Sequence, residues 1–312
     1  MKSISAKVRH ALIEYLGKIC EHGSSKNLIN NNEIDLYRLL RNKINNKIQI
    51  WRYSTNDESI YLGNGRTSVA LKISRLLRID KNLLNCLGFF QGEGSKTHPR
   101  RVAVVNSDST LINMFIDYFE EAFDIKKNLW KVRVIYTNPI KDVVIEGKLV
   151  LYWSNITKIP LNNFVKSYWV EGIPQAKMGS LHIYLPSSAL REVWMNLLRY
   201  VPRLIEKRKD YALWFMQGVL AADGCPIVSN GYLQSIQIRI ENKEEGELYI
   251  KALDKIDIYG NLGIERREIN ILRNIDILKV FKYNLFGLHK DRRERFLKYL
   301  LSRKRINHLI TT

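Results

Sequence analysis

Apolar side chains recur every three or four positions along three stretches near the start of the chain. Residues three and four apart share one face of a helix, so the spacing predicts amphipathic helices over residues 4–20, 33–44 and 66–78. A segment rich in glycine, serine and asparagine separates the first two and predicts a loop.

Between the second and third of these helices the pattern changes. Residues 47–53 and 58–62 alternate apolar with polar side chains or carry aromatic rings, which predicts a pair of strands joined as a hairpin. We interpret residues 1–80 as a small N-terminal extension, whose role the pattern does not define.

An internal repeat organises the remainder of the chain. Residues Cys86–Gly94 and Met216–Gly224 align without gaps at an offset of 130 positions. Each segment is rich in apolar residues and has glycine third, a small residue seventh, an acidic residue eighth and glycine ninth. The acidic residues are Glu93 and Asp223. This shared register predicts two related helices that each end at a carboxylate.

The segments that follow the two helices also share a pattern. Alternating strands and amphipathic helices predict an α+β fold of two αββαββα repeats with antiparallel sheets, over residues 81–210 and 211–312. This reading requires short first strands at 95–100 and 226–230. The first repeat is predicted to continue with strands 101–107, 129–137, 148–154 and 181–185 and helices 110–123 and 187–208, and the second with strands 233–241, 257–264 and 268–272, a helix 244–255 and a long helical tail.

Small residues line one side of each repeated helix. Gly88 and Gly92 are four positions apart and therefore share a face, as do Gly218 and Ala222. Small residues at this spacing let two helix backbones approach closely. Because a glycine inside a helix costs about 1 kcal/mol relative to alanine, the pattern indicates that the two helices pack against each other through these faces.

Such packing would bring Glu93 and Asp223 to the same end of the helix pair. Gly94 and Gly224 follow them and are predicted to end the helices in the left-handed conformation. Neighbouring carboxylates repel each other unless a cation intervenes, so the pair predicts a divalent metal site. Oxygen ligands alone favour Mg²⁺, which activates water and stabilises a leaving oxygen in phosphodiester hydrolysis. Either helix alone would fit a buried helix with a solvated acid; the matched second copy favours the site.

The charge balance adds a partner to this picture. The chain has 50 Lys and Arg residues against 31 Asp and Glu, a net charge of +19, which predicts a polyanionic partner. Residues 1–85 and 273–312 each carry a net charge of +8, and residues 86–272 carry only +3. Single basic clusters fit solvated helix faces equally well, but the density of the tail favours contact with phosphates.

Several other classes of protein fit the sequence poorly. No run of about 18 apolar residues predicts a membrane span. Met1–His10 lacks the apolar core of a secretory signal, so we expect no membrane partner, no secretion and a cytoplasmic or organelle-interior location. The three cysteines form no CxxC pair and the six histidines show no metal-binding spacing, which argues against a zinc site or a disulfide framework.

The two repeated motifs resemble those of the LAGLIDADG homing endonucleases. Leu87–Gly94 matches the first motif of that family, and Met216–Gly224 matches the second while departing from it at Gln217 and Ala221. Two further segments resemble members of the family, Val104–Asp108 and Trp153–Pro160.

The resemblance covers about residues 85–300 and implies a monomeric, site-specific endonuclease acting on double-stranded DNA. It implies that the two sheets form a DNA-binding saddle and that the motif helices pair at its centre. It also implies that Glu93 and Asp223 hold Mg²⁺ or Mn²⁺ beneath the scissile phosphates. Many members of the family are encoded within introns. Residues 1–80 have no counterpart in this resemblance.

Candidate DNA-contacting residues lie on the predicted strands and turns, where side chains with several hydrogen-bond donors reach base edges and phosphates. Lys96, three residues after Glu93, is the candidate for a third catalytic role, orienting water or offsetting phosphate charge. The second copy has Pro226 at the same offset, so the repeats differ here. The candidates for DNA contact are Arg100, Arg101, Lys131, Arg133, Gln234, Gln237, Arg239, Arg266 and Arg267.

A second class of function stays open at the level of sequence. Some members of the resembling family assist the splicing of their host intron RNA, and others bind DNA as regulators without cutting it. The basic flanks and the N-terminal extension fit such a non-cleaving binder. Both acids are present, however, and a pure binder has little use for two facing carboxylates, so the residues favour the nuclease.

Overall fold

The computed structural model describes residues 29–30, 32–41, 48–51, 58–64, 71–173, 176–300 and 302. The chain divides into two compact units, Met1–Ile79 with Ser188–Asn196, and Asp80–Ser187 with Leu197–Thr312. Both sequence repeats therefore lie mainly in the second unit. The predicted helix over residues 4–20 lies outside the described residues, and the division into 1–80, 81–210 and 211–312 as separate domains stays a proposal.

Two three-stranded antiparallel sheets form the described part of the first unit. Their strand orders are β1-β2-β6 and β3-β4-β5. The predicted hairpin is confirmed, since β3 pairs with β4 in antiparallel register. The elements are β1 Ile29–Asn30, β2 Glu33–Asp35, α1 Leu36–Leu40, β3 Ile48–Trp51, β4 Ser59–Asn64, β5 Leu71–Ser74 and β6 Leu76–Arg78.

Two helix predictions in this unit are wrong. The predicted helix over 66–78 is replaced by strands throughout its described part, because Ile73 and Leu77 are buried while their immediate neighbours are exposed, a period of two. The predicted helix over 33–44 begins only at Leu36. The Asp35 carboxylate accepts a hydrogen bond from the Arg38 backbone N–H at 3.1 Å and so caps the helix start.

The second unit contains the two repeats, in the α+β arrangement that the sequence predicts. The first repeat comprises α2 Lys81–Glu93, β7 Val102–Asn106, α3 Ser109–Phe123, β8 Lys131–Asn138, α4 Val143–Thr157, β9 Tyr168–Glu171, β10 Ser180–Leu185 and α5 Ser188–Lys207, which runs across both units. The second comprises α6 Lys209–Asp223, β11 Gly224–Ser229, β12 Tyr232–Arg239, α7 Lys243–Lys255, β13 Asn261–Gly263, β14 Glu268–Ile271, α8 Asn274–Lys282 and α9 Lys290–Leu300.

Each repeat builds one four-stranded sheet. The second sheet has the order β11-β12-β14-β13 and is antiparallel throughout. The first has the order β7-β10-β8-β9, in which β7, β10 and β8 pair antiparallel and the edge strand β9 pairs parallel with β8. The strands β7-β10-β8 therefore correspond to β12-β14-β13, and β9 has no counterpart among the described residues of the second repeat.

The first repeat departs from the predicted pattern at two places. No strand forms at 95–100, where the pairing reduces to a single bridge between Gly94 and Val104; Pro99 has no N–H to donate to a ladder. The predicted strand at 148–154 is instead part of α4. The Asp142 carboxylate accepts from the Val144 N–H at 2.7 Å and starts that helix.

In the second repeat the predicted strand over 257–264 shortens to Asn261–Gly263, because Asp257 adopts a left-handed conformation that closes α7. No helix in the part of the chain that the structure describes is long and apolar enough to cross a membrane.

Candidate active site

Helices α2 and α6 touch backbone to backbone. A Cβ atom built on Gly88 would lie 2.1 Å from the carbonyl oxygen of Phe215, and one built on Gly218 would lie 2.1 Å from that of Asn85. Real side chains never approach a backbone atom so closely, so both positions require glycine for reasons of space. The structure thus places these two residues of the predicted small faces at the helix contact.

Substitution of Gly88 tests this contact. We expect Gly88→Ala to lower the free energy of unfolding by about 3 kcal/mol, because the new methyl group forces the two helices apart. The matched control is Gly147→Ala in the exposed part of α4, where nothing lies within 4 Å of the added Cβ. That change should raise stability by about 0.5–1 kcal/mol. Equal effects in urea unfolding would contradict the close packing.

The small faces continue to the end of the pair where the acids lie. A Cβ on Gly92 would lie 2.1 Å from Oδ2 of Asp223 and 2.5 Å from the Cβ of Ala222. The Asp223 carboxylate therefore lies directly over Gly92, the residue before Glu93. The tertiary structure brings the last residues of two helices together although 130 positions separate them in the chain.

Both carboxyl groups are hard to ionise in this position. Burial raises the pKa of Glu93 to about 7, and the charge of Asp223 adds to the rise. Burial also raises the pKa of Asp223 to about 6, and the charge of Glu245 adds to it. Positive charges at Arg292 and, for Asp223, at Lys96 act in the opposite direction. The pair is thus an accumulation of negative charge that the nearby cations only partly offset.

The two acids have different neighbours. Nδ2 of the buried Asn106 donates a hydrogen bond of 2.9 Å to Oε1 of Glu93 and fixes that side chain. Asn106 ends β7 in the first repeat, and the corresponding strand of the second repeat continues into the buried Ile240. The two carboxylates are therefore similar in position but not in chemical surroundings.

A buried carboxylate at Glu245 organises the side of the site next to Asp223. Its Oε1 accepts hydrogen bonds from Gln91 Nε2 at 2.7 Å, from Lys96 Nζ at 3.0 Å and from Tyr249 Oη at 3.0 Å. Its Oε2 accepts from the Glu241 N–H at 2.6 Å. Gln91 and Lys96 belong to the first repeat and the others to the second, so this cluster joins the repeats beside the acids.

Lys96 reaches the site through that cluster. Its ammonium also lies 2.9 Å from Oε2 of Glu241, and these hydrogen-bonded carboxylates raise the pKa of the lysine above its usual value despite its burial. The lysine is therefore a fixed positive charge near Asp223. Its predicted catalytic role stays a prediction.

The glycines after the acids do not adopt the predicted left-handed conformation. Gly94 has φ −82° and ψ 141°, and Gly224 has φ −76° and ψ 134°, both extended. Their small size is required by space: a Cβ on Gly94 would lie 2.3 Å from the Phe90 carbonyl oxygen, and one on Gly224 would lie 2.7 Å from that of Leu220. The chain leaves α6 directly into β11, and after α2 it makes only the single bridge of Gly94 to Val104.

The open face of the first sheet is basic. Arg133 is exposed on β8 and lies opposite His182, while Lys131 lies opposite Tyr184. The Arg101 guanidinium stacks 4.9 Å from the centroid of the Tyr184 ring. Burial lowers the pKa of His182 to about 4, and the charges of Arg101 and Arg133 add to the fall. The face therefore carries a positive potential.

The open face of the second sheet is polar rather than basic. Gln237 lies on β12 opposite Asn270, and both amides donate hydrogen bonds to the Glu268 carboxylate, that of Asn270 at 2.9 Å. Arg239 is exposed on the same strand. Of the other predicted contacts, Gln234 is exposed at a bulge of β12, Arg266 and Arg267 are exposed in the turn after β13, and Arg100 is exposed before β7.

The residues present fit a divalent metal ion. The described part of the chain contains no group of three or more His, Cys, Asp or Glu side chains arranged to hold a metal. Two carboxylates suit Mg²⁺ or Mn²⁺ because such ions keep several waters and take further oxygens from phosphates. Burial raises the pKa of both acids, and a divalent ion would favour their ionised forms.

Solved structures with a similar fold include LAGLIDADG proteins. Full-length DUF199/WhiA from Thermatoga maritima is 14% identical with a TM-score of 0.41, over 74% of this chain and 65% of that chain, so the chain spans just under two thirds of its length. Its N-terminal LAGLIDADG domain is 14% identical with a TM-score of 0.37, over 66% of this chain and 82% of that one.

The homing endonuclease I-DmoI is also similar in structure. Its complex with DNA and Mn is 14% identical with a TM-score of 0.39, over 66% of this chain and 97% of that chain. Another I-DmoI structure contains DNA and Ca. No family model matches the sequence, and no curated protein matches it.

Three residues of the site are missed by reasoning from the sequence, namely Asn106, Glu245 and Arg292. Asn106 lies in a segment that the resemblance does highlight, Val104–Asp108, but without a role. Glu245 is indistinguishable in sequence from the other acids at the start of α7. Arg292 lies in the basic tail that was predicted to contact phosphates, and only the structure shows it beside the acids.

Proposed function

We propose that this protein is a homing endonuclease of the LAGLIDADG type, which cuts both strands of a specific DNA site as a monomer. The observation that carries the proposal is the meeting of Glu93 and Asp223 at one end of two helices whose backbones touch. Each repeat supplies one helix of the pair, one acid and one four-stranded sheet. A single chain therefore carries two related halves of the proposed active site.

In this proposal Glu93 and Asp223 hold Mg²⁺ or Mn²⁺. When bound there, such an ion would supply an activated water and would stabilise the leaving oxygen of the phosphodiester. Asn106 holds Glu93 in place, and Glu245 holds Lys96 beside Asp223, where its charge offsets that of an incoming phosphate. The close contact at Gly92 keeps the two carboxylates together.

The open faces of the two sheets supply the DNA contacts. Arg101, Lys131 and Arg133 reach phosphates or guanine edges from the first sheet. Gln237 and Arg239 reach base edges from the second sheet, where amides and a guanidinium give more directional contacts than charge alone. Long sites read by two different faces would be asymmetric in sequence. Intron RNA of the host is a further nucleic-acid partner that the net charge of +19 would allow.

The test begins by selecting duplexes from a random library in Ca²⁺ and then adding Mg²⁺ to the selected duplexes. Cleavage of both strands at one position supports the proposal. Tight, sequence-specific binding with both strands intact would replace it with a non-cleaving DNA binder. Enrichment of structured RNA over every duplex would replace it with a splicing factor.

Substitution of Arg133 tests the proposed DNA face. We expect Arg133→Gln to weaken binding to the selected duplex and to reduce the slope of log Kd against log salt by about one, because one phosphate contact is lost. Lys158→Gln is the matched control, since Lys158 is equally exposed but ends helix α4. An unchanged slope in filter-binding titrations of Arg133→Gln would contradict the assignment of this face.

A further inference from the structure

Helix α9 brings one arginine to the acid pair. The helix lies along β11 and β12 and buries Phe296 and Leu300, while Arg293 and its other basic residues face solvent. Arg292 is the exception among them, because its side chain is partly buried. A partly buried arginine on an otherwise solvated basic face indicates a specific partner.

The partners of Arg292 are in the last turn of α6. Its Nη1 donates hydrogen bonds to the carbonyl oxygens of Leu220 at 3.0 Å and Ala221 at 2.8 Å. The last carbonyls of a helix carry its negative dipole end, and that of Leu220 already accepts from the Gly224 N–H. The guanidinium therefore adds hydrogen bonds and a positive charge at the helix end beside Asp223.

The start of α9 is fixed on the first repeat as well. Nδ1 of His289 lies 3.3 Å from Oδ2 of Asp108, the residue that caps helix α3. Arg292 is thus held between a contact to the first repeat and hydrogen bonds to the second. These contacts together hold the start of α9 and the Arg292 guanidinium beside the end of α6.

The charge of Arg292 acts on both acids without contacting either. Arg292 lowers the pKa of Glu93 and that of Asp223. Within the described residues no ion pair of 4.0 Å or less joins it to either carboxylate. Arg292 therefore leaves the carboxylate oxygens unoccupied by its own guanidinium while its positive charge remains nearby.

We propose that Arg292 is a resident counter-charge, a positioning residue that stabilises the acid pair before a divalent ion binds and that weakens the binding of that ion. The first part of this inference rests on the charges in the structure alone. The second part rests on the proposed function, because it assumes that Glu93 and Asp223 hold a metal. Helix α9 then lowers the metal affinity of the site.

The experiment compares Arg292→Gln, Arg292→Lys and the control Arg293→Gln by thermal unfolding of the full chain in EDTA at pH 8. Glutamine can still donate to a helix carbonyl but has no charge, and lysine keeps the charge. We expect Arg292→Gln to lower the melting temperature by roughly 5 °C more than Arg293→Gln does. In an Asp223→Asn background the loss should fall by at least half, since one of the charges it offsets is gone.

Mn²⁺ binding to the same variants gives the second readout. At pH 8 we expect Arg292→Gln to bind Mn²⁺ about tenfold more tightly than wild type, because a like charge has been removed. Saturating Mn²⁺ should then recover most of the lost melting temperature. Arg292→Lys should resemble wild type in its Mn²⁺ affinity, because lysine keeps the positive charge although it lacks the planar guanidinium group.

Several results would overturn the inference. One is an equal loss of melting temperature for Arg292→Gln and Arg293→Gln. Another is a loss of melting temperature that is no smaller in the Asp223→Asn background. A third is an Mn²⁺ affinity of Arg292→Lys that matches that of Arg292→Gln. If no variant, including wild type, binds Mn²⁺, the metal site of the proposed function fails. The coupling with Asp223 in EDTA then still decides whether Arg292 is a counter-charge.

Discussion

In Mg²⁺, Glu93→Gln and Asp223→Asn are each expected to leave selected DNA duplexes uncut, while metal-free protein carrying either substitution becomes more stable at neutral pH. Each change removes a proposed metal ligand but keeps the size of the side chain. Each also removes a charge that the fold holds at a cost, because burial and a neighbouring acid raise the pKa of both groups. Loss of activity and gain of stability in one variant would identify a functional site rather than a structural ion pair.

The pH dependence follows from the direction of these shifts. The pKa of Glu93 is about 7 in the folded protein against an ordinary value of 4.5, so the folded state binds the proton more tightly. Its contribution to stability is present below about pH 4.5 and is lost as the pH rises to about 7. At pH 8 we expect Glu93→Gln to raise the free energy of unfolding by about 2 kcal/mol, with little effect at pH 4.5.

Urea unfolding in EDTA at both pH values measures this effect, and duplex cleavage in Mg²⁺ measures the loss of activity. The control is Glu247→Gln, because Glu247 is an exposed acid of α7 that pairs with Lys243 at the surface. This variant should retain cleavage and change stability by less than about 0.5 kcal/mol. Destabilisation of Glu93→Gln at pH 8, or retained cleavage by it, would show that the acid pair has another role.

Removal of the buried carboxylate at Glu245 is expected to have the second large effect. Glu245→Ala leaves the Lys96 ammonium, the Tyr249 hydroxyl and the Gln91 amide without the oxygen that now accepts from all three. Breaking a buried charged network in this way costs about 3–5 kcal/mol, mostly because the remaining partners stay buried. We therefore expect a loss of that size in the free energy of unfolding.

Two further variants separate the charge from the hydrogen bonds. Glu245→Gln keeps an oxygen that can accept but loses the charge that holds Lys96, so its cost should be intermediate. Adding Lys96→Met to Glu245→Ala should recover part of the loss, since the ammonium that keeps only the exposed Glu241 as its partner is then gone. If urea unfolding shows that the two single changes simply add, Lys96 and Glu245 are not coupled and the cluster does not position the lysine.

Local features of the sequence predict the centre of this molecule well. The helical period places Gly88 and Gly92 on one face, and the repeat at an offset of 130 indicates a matching helix. The helical period depends on residues a few positions apart, and the repeat shows that the same local pattern occurs twice. The hairpin from residue 47 and the α+β succession are confirmed for the same reason.

Apolar runs without a clear period are predicted less well. The segment 148–154 is apolar on several sides and fits a buried strand or a helix equally, and the upstream cap at Asp142 decides for the helix. Residues 71–78 contain leucines at helical spacing, but strand pairing with β2 and β4 imposes a period of two. The added edge strand β9 is too short to stand out in the sequence.

The sequence by itself determined that two helices of the same register each end in a carboxylate and that glycines leave room for them to meet. Only the tertiary structure decided what surrounds the carboxylates. Arg292 lies 69 positions after Asp223 in the chain, and Glu245 accepts from a lysine in the other repeat. Which helices and strands pack together decides that these residues lie beside the acids, and a local sequence pattern does not encode that packing. Their charges add to or offset those of the two carboxylates, on which the chemistry of the site depends.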